Sequence, residues 1–221
     1  MRSCLNIAPQ MKVCCMRLLH KCHFLTGSDR GRADFALKCQ TIDVVCELYS
    51  DFAELVNFRP KSGLIVVRDE PEMISIRSLD RRLINANIDL PWMAASEVLE
   101  VGRIVAAVRS GAIDYISLPL DAKQFHRRLE QISDDVETFR VARRAMIDAK
   151  KRLSSLSKRE GQVLDRIYQG NSNIDIAKLL EISPRTVEIH RANLMRKLQA
   201  SHVSEAIRLR AAASPVGIGA N

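Results

Sequence analysis

The sequence predicts an α/β domain, then a long helix, then a small all-α domain. Strand-like and helix-like segments alternate as far as about residue 120 of the 221. The stretch 121–153 contains no Gly or Pro, and four short helical patterns with capping residues follow it. We therefore divide the chain into an N-terminal extension (1–20), the α/β domain (21–120), a linker helix (121–155), the all-α domain (156–213) and a disordered tail (214–221).

Five short apolar segments in the α/β domain are typical of buried strands. They lie at 23–27, 42–49, 63–67, 91–95 and 115–117, and helical patterns lie near 29–38, 51–58, 73–85 and 99–110. Strands that alternate with crossover helices form a parallel sheet with both faces covered. The predicted fold is therefore flavodoxin-like, with any ligand site beyond the carboxyl ends of the strands. The domain has no Walker-type phosphate loop and no G-x-G-x-x-G motif, so a nucleotide-binding enzyme has little support.

The linker helix carries apolar residues at alternating spacings of four and three, which is a heptad pattern. The pattern begins at Phe125, and Arg143 and Lys150 interrupt it. We predict that it forms the dimerisation seam of a parallel two-helix coiled coil. The seam residues are Leu129, Ile132, Val136, Phe139, Met146 and Leu153. Alternatively, a single helix lays the same stripe against its own domain.

The all-α domain contains two tightly connected helices, of which the second is cationic. A capping box from Ser157 to Glu160 opens a helix that ends near Gly170, and a short helix is expected at about 173–180. Ser183 and Pro184 are the N-cap and first residue of the next helix. A helix-turn-helix therefore follows, with the second helix suited to a DNA major groove. A last helix is expected at about 203–211.

The inward face of that second helix is set by Val187, His190, Leu194 and Leu198, at spacings of three and four. The phase of His190 favours a packed, hydrogen-bonded histidine, and a histidine that reads a base is the alternative. The opposite face carries cations, small residues and polar residues, which is the mixture that reads base edges and holds phosphates. Alternatively, an amphipathic basic helix is only a solvated surface helix.

The distribution of charge supports a polyanionic partner for the second half of the chain. The net charge is +8, and residues 156–221 hold 10 Lys and Arg against 6 Asp and Glu. Residues 1–120 are nearly neutral, with 15 against 14. We therefore expect double-stranded DNA as the partner of the all-α domain.

The run from Leu156 to Ala200 resembles the DNA-binding domain of LuxR/FixJ-type regulators, and the likeness extends to about Ala213. It includes the capped first helix, the segment 173–177 and the motif SPRTVEIH at 183–190. The resemblance implies that Thr186 and Lys197 contact phosphates and that Glu188, Ile189 and Ala192 face bases. The full set of expected DNA-binding residues is Arg185, Thr186, Glu188, Ile189, Arg191, Ala192, Asn193, Arg196 and Lys197. It also implies that the last helix dimerises.

The α/β domain is similar to a response-regulator receiver, mainly through LPWMAAS at 90–96 and AIDYISLP at 112–119. Receivers need acids for Mg²⁺, an acceptor Asp, a Ser or Thr and a Lys. At the matching positions this sequence has Asp29 as one acid, Val67 as the acceptor, Ser96, and Leu118 in place of the Lys. We predict a degenerate, atypical receiver without a metal or cofactor, with Asp69 as the fallback acceptor. Our preferred interpretation of Asp69 and Glu70 is that they are loop carboxylates that cap helices or face water.

The leading hypothesis is a dimeric, sequence-specific transcription regulator that aspartyl phosphate does not control. The resemblance to a receiver implies a signalling protein as a further partner. Two alternatives remain: a phosphorylation-controlled two-component regulator that uses Asp69, and a protein-interaction adaptor with weak DNA binding. No cluster of nucleophile, base and orienting group points to an enzyme.

All six cysteines lie within the first 46 residues, without C-x-x-C or zinc-site spacing. We expect reduced, partly buried thiols, and a redox switch is the alternative. No run reaches the roughly eighteen apolar residues of a membrane span. We expect no signal peptide and a cytoplasmic protein.

Overall fold

A computed structural model describes residues 20–70 and 75–213 of the chain. The chain divides after Arg143 into two compact units. The predicted N-terminal extension, apart from His20, and the predicted tail lie outside the described residues, as does the start of the helix expected at 73–85.

The first unit contains a five-stranded parallel sheet with the order β2-β1-β3-β4-β5. The strands are β1 (Lys21–Leu25), β2 (Val45–Tyr49), β3 (Leu64–Arg68), β4 (Trp92–Ser96) and β5 (Asp114–Ser117). The helices of the unit are α1 (Asp29–Gln40), α2 (Phe52–Phe58), α3 (Ile76–Asn85), α4 (Val101–Arg109) and the first part of α5 (Ala122–Leu153). The predicted α/β fold class is therefore confirmed.

The strands form a sheet because their side chains are apolar on both faces. In β3, residues Leu64 to Val67 are all fully buried. One face packs against Phe35 of α1 and Phe125 of α5, and the other packs against Leu55 of α2 and Leu79 of α3. Continuous apolar strands of this kind are typical of parallel sheets with helices on both sides. This arrangement brings the carboxyl ends of all five strands to one edge.

The linker helix packs differently from the predicted seam. Leu129, Ile132 and Val136 are buried in the same core as β1 and β3. They are core residues of their own domain, so the prediction of an inter-chain seam is wrong at these positions. Leu153 packs instead against the core of the second unit, while Phe139 and Met146 are half-buried. The alternative interpretation, a stripe laid against its own domain, describes the first three residues.

Two buried arginines attach the next turns of α5 to the first unit. The Arg143 side chain is 3 % exposed, and its Nη1 lies 2.5 Å from Asp80 Oδ1. The same carboxylate oxygen accepts a hydrogen bond of 3.0 Å from Nε1 of the buried Trp92. Arg140 Nη2 lies 3.6 Å from Asp89 Oδ2. Charged groups are buried here because each has a charged partner inside the domain.

The second unit contains the end of α5 and four helices among its described residues. These are α6 (Lys158–Tyr168), α7 (Asn173–Leu180), α8 (Pro184–Lys197) and α9 (Val203–Ala212). Val163 and Leu164 of α6, Ile176 of α7 and Leu194 of α8 form one core. Glu181, in the left-handed conformation at φ 55°, ends α7 and turns the chain into α8. The predicted four-helix domain with a helix-turn-helix is confirmed.

Three of the six cysteines lie among the described residues, and all three are free thiols. Cys22 and Cys39 are buried, and Cys46 is half-buried. Burial raises the pKa of the Cys22 thiol, and a hydrogen bond with Cys46, followed by burial, raises that of Cys39. Thiols of raised pKa react slowly, since the thiolate is the nucleophile. The redox alternative stays a hypothesis.

Val136→Ala is expected to destabilise the first unit by about 2 kcal/mol, because it leaves a cavity in the sheet core. Val141→Ala is the matched control on the same helix, since Val141 is 60 % exposed. Urea denaturation measures both. Equal midpoints for the two variants would contradict the placement of Val136, and a difference that vanished on dilution would point back to an inter-chain seam.

Candidate DNA-binding interface and sheet-edge site

The amino end of α8 is held by local hydrogen bonds. Ser183 Oγ accepts a hydrogen bond of 3.0 Å from the Thr186 amide, and Pro184 occupies the first turn. Val187, Leu194 and Leu198 are fully buried and hold the helix on the domain core. His190 is half-buried, and the hydrogen bond that the sequence predicts for it stays a prediction. The cap and the buried stripe together fix which side of α8 faces solvent.

The solvent-facing side of α8 carries five of the nine expected DNA-binding residues. These are Arg185, Glu188, Ile189, Ala192 and Arg196, all exposed. Ile189 is 54 % exposed, and Ile174 and Leu179 of the same domain are 60 and 52 % exposed, so exposure alone does not distinguish it. An exposed isoleucine between cations and polar groups suits a groove in which apolar atoms meet base methyl groups.

The other four expected residues are engaged within the domain. The Thr186 hydroxyl lies 2.8 Å from Ser183 Oγ, and Arg196 Nη2 donates to Asn193 Oδ1 at 3.5 Å. Arg191 Nη1 donates to Asn173 Oδ1 of α7 at 2.5 Å. Arg191 therefore joins the two helices of the helix-turn-helix.

Lys197 forms an ion pair across the domain. Its Nζ lies 2.7 Å from Oε2 of Glu160, whose side chain is 6 % exposed against 34 % for Lys197. Glu160 Oε2 also accepts a hydrogen bond of 2.7 Å from the Ser157 amide, which completes the predicted capping box. The hydrogen bond from Lys197 is the largest cause that lowers the pKa of Glu160 to about 2. The end of α8 is thus tied to the start of α6.

The second candidate site lies at the carboxyl edge of the sheet and is here called the sheet-edge site. Val67, at the expected acceptor position, is fully buried, and Leu118 packs against the sheet core. Ser96 is half-buried, and its Oγ accepts a hydrogen bond of 3.2 Å from the Val98 amide. The Asp29 side chain is 93 % exposed and pairs with Arg32. The expected residues lie at one edge, but their side chains have separate partners.

Asp69 is the buried carboxylate of this edge, with 7 % of its side chain exposed. Arg103 of α4 makes a bidentate contact with this carboxylate, with Nε 2.7 Å from Oδ2 and Nη2 2.6 Å from Oδ1. Tyr115 of β5 donates its hydroxyl to Oδ2 at 2.8 Å. The preferred prediction that Asp69 is a loop carboxylate facing water is therefore wrong, because a two-pronged guanidinium contact balances its charge inside the domain.

Contact with Asp69 contributes to the raised pKa of both Arg103 and Tyr115. Hydrogen bonding to Asp69 is the largest cause that raises the pKa of Arg103. Burial, followed by the hydrogen bond to Asp69, raises the pKa of Tyr115 to about 12. At neutral pH Arg103 is therefore a cation and Tyr115 is a neutral phenol that donates.

The carboxylates of the sheet-edge site do not fit Mg²⁺. Glu70 Oε1 lies 3.1 Å from Arg68 Nε, and Arg68 Nη2 lies 2.9 Å from Glu97 Oε1. Asp69 is held by Arg103 as described. Mg²⁺ needs several oxygen ligands at once. Among the residues that the structure describes, no group of three or more His, Cys, Asp or Glu side chains can hold a metal ion.

Sequence reasoning missed the partners of these side chains. Arg103 and Arg68 carry no motif, and Lys197 was expected at a phosphate. The only available signal was indirect: a buried carboxylate in either domain demands a cation from elsewhere in the chain.

Glu160→Gln is expected to lower the free energy of unfolding of the second unit by about 2 kcal/mol at neutral pH, because it removes a charged hydrogen bond. A lowered pKa stabilises the fold above the unfolded-state value, so the difference from wild type should shrink as pH falls from about 4.5 to about 2. Urea titrations across this range measure it. Exposed Glu188→Gln is the control, and a pH-independent difference for Glu160→Gln would contradict the ion pair.

None of the helices in the described part of the chain is both long enough and apolar enough to cross a membrane.

Comparison with known proteins identifies the family. The model for bacterial regulatory proteins of the luxR family matches residues 154–210. The chain is 34% identical over 190 residues to the transcriptional regulatory protein FixJ of Rhizobium meliloti (strain 1021). The aligned region covers 85% of this chain and 93% of that protein. It is 27% identical over 173 residues to the response regulator protein TodT of Pseudomonas putida, covering 77% and 76%. Full-length FixJ from B. japonicum matches at a TM-score of 0.48 and 25% identity, covering 87% and 96%. The chain therefore belongs to the FixJ-type response regulators, which carry a DNA-binding helix-turn-helix of the luxR family.

Proposed function

We propose that this regulator binds a specific DNA sequence as a dimer and that aspartyl phosphate does not control it. The observation that carries the proposal is the exposed side of α8, where Arg185, Glu188 and Ile189 face solvent on a capped helix. These side chains lie outside the helical core of the domain. Their mixture of charged and apolar groups is the kind that contacts phosphates and base edges in a DNA groove.

Each exposed residue has a role that follows from its chemistry. Arg185 and Arg196 bear fixed positive charge and hold phosphates. Glu188 and Ile189 lie between them and face the bases, with Ala192 allowing a close approach. Lys197 and Arg191 keep their bonds to Glu160 and Asn173 and so hold α8 at the angle that presents this side.

The α/β domain serves as a dimerisation or partner-binding module in this proposal. The outer side of α4 supports the role, because Val101, Val105 and Val108 are 76, 43 and 41 % exposed at helical spacing. Leu99, just before the helix, is 53 % exposed. A contiguous apolar patch on a soluble domain marks an interaction surface. A dimer places two copies of α8 on half-sites about one DNA turn apart.

Phosphorylation independence is supported by the chemistry at the sheet-edge site. Val67 has no nucleophile, Leu118 has no charge to offset a phosphoryl group, and Asp69 is bound by Arg103. A phosphoryl transfer needs an unhindered oxygen and a metal ion nearby.

The experiment that tests the proposed function is selection of bound DNA from a random pool. A palindromic product supports sequence-specific binding and a symmetric dimer together. Recovery of unrelated sequences only would favour the adaptor alternative.

Arg185→Ala is expected to weaken binding to all sequences and to reduce the slope of log affinity against log salt by about 1, because it removes one phosphate contact. Ile189→Ala should instead reduce the binding free energy that discriminates between bases at one position, by about 1–3 kcal/mol. Fluorescence anisotropy on selected and scrambled duplexes measures both. If neither variant alters retention on DNA, the assignment of α8 to the groove fails.

Incubation with a small phosphodonor and Mg²⁺ is expected to leave the chain unmodified and its DNA affinity unchanged. Intact-mass spectrometry before and after mild acid treatment detects an acyl phosphate. An acid-labile adduct on wild type that disappears in Asp69→Asn would establish the phosphorylation-controlled alternative.

A further inference from the structure

The apolar attachment of α4 to its domain is thin. Of its nine residues, Ala107 alone is fully buried, while Val101, Val105 and Val108 point to solvent. Its N-cap residue, Glu100, makes no side-chain capping bond. A helix held by so little buried surface opens locally at low free-energy cost.

The first turns of α4 have a strong polar attachment instead. Arg103 reaches Asp69 with two nitrogens and also donates from Nη2 to the Asp69 carbonyl oxygen at 2.7 Å. The Asp69 amide in turn donates to Ala95 O at 2.8 Å, which continues the ladder between β3 and β4. The guanidinium of a solvent-facing helix is thus joined to backbone that belongs to the sheet.

Tyr115 closes the cluster from the adjacent edge strand. Its hydroxyl donates to the same Oδ2 that accepts from Arg103 Nε. The carboxylate of Asp69 therefore holds one group from α4 and one from β5 simultaneously.

We propose that Asp69, Arg103 and Tyr115 form a built-in latch, which holds α4 and β5 in one arrangement without any phosphoryl group. The negative charge that orders the two elements is a resident carboxylate, already paired and 7 % exposed. Loss of Arg103 leaves that charge buried without its main partner, which is strongly unfavourable. The latch keeps the apolar side of α4 presented at all times.

The latch is a property of the α/β domain alone, and only its regulatory meaning rests on the proposed function. If α4 is the surface used for assembly, a permanent latch makes assembly depend on protein concentration and not on a kinase. A failure of DNA binding would leave the latch proposal intact, because hydrogen exchange in the α/β domain is measured without DNA.

Amide hydrogen exchange on the full chain tests the latch. In Arg103→Met we expect exchange of the amides of α4 and of residues 114–117 to accelerate by roughly tenfold or more, while the amides of β1 and β3 stay protected. This local pattern separates release of a latch from general loss of stability. In Tyr115→Phe, which keeps the ring, we expect a smaller acceleration that is confined to the same residues.

Arg109→Met is the matched control, since Arg109 is an exposed arginine at the end of the same helix. It should exchange like wild type. If Arg103→Met fails to fold, the exchange of the α4 amides in Tyr115→Phe alone tests the latch. Exchange in α4 that is the same in wild type, Tyr115→Phe and every folded Arg103 variant would overturn the proposal, as would an acceleration spread evenly over the whole domain.

Discussion

Pairing of buried charge inside the chain is the constraint on which both domains depend. Asp69 is held by Arg103, Asp80 by Arg143, and Glu160 by Lys197. A carboxylate or guanidinium taken out of water is tolerated only with a partner of opposite charge. Each pair also joins two separate elements, so the charges that balance one another position α4, α5 and α8. The same pairing occupies these charged groups within their own domains.

Local patterns in the sequence were sufficient for the elements and for the caps of the DNA-binding domain. Ser157 with Glu160, and Ser183 with Thr186, are three residues apart, so their hydrogen bonds are decided within one helical turn. The alternation of apolar strands and helices likewise led to the parallel sheet. The exposed side of α8 followed from the period of its buried residues.

Long-range pairs were beyond the reach of the same reasoning. Arg103 and Asp69 are 34 residues apart, and Lys197 and Glu160 are 37 apart, so only the folded chain brings them together. The heptad on α5 failed for a different reason. A stripe at spacings of four and three fits a partner helix and a sheet face equally well over a few turns, and sequence alone does not say which surface covers it.

The surroundings of Val67 have a consequence for substitution at the sheet edge. Val67 is fully buried between β1 and β4, so an aspartate introduced there alone would be a charge without a partner. Removing Arg103 would likewise leave the buried Asp69 carboxylate without its main partner. Each of these two single substitutions would therefore lower the stability of the α/β domain. The two positions are therefore energetically coupled at this sheet edge, and neither can be exchanged singly without leaving a carboxylate uncompensated.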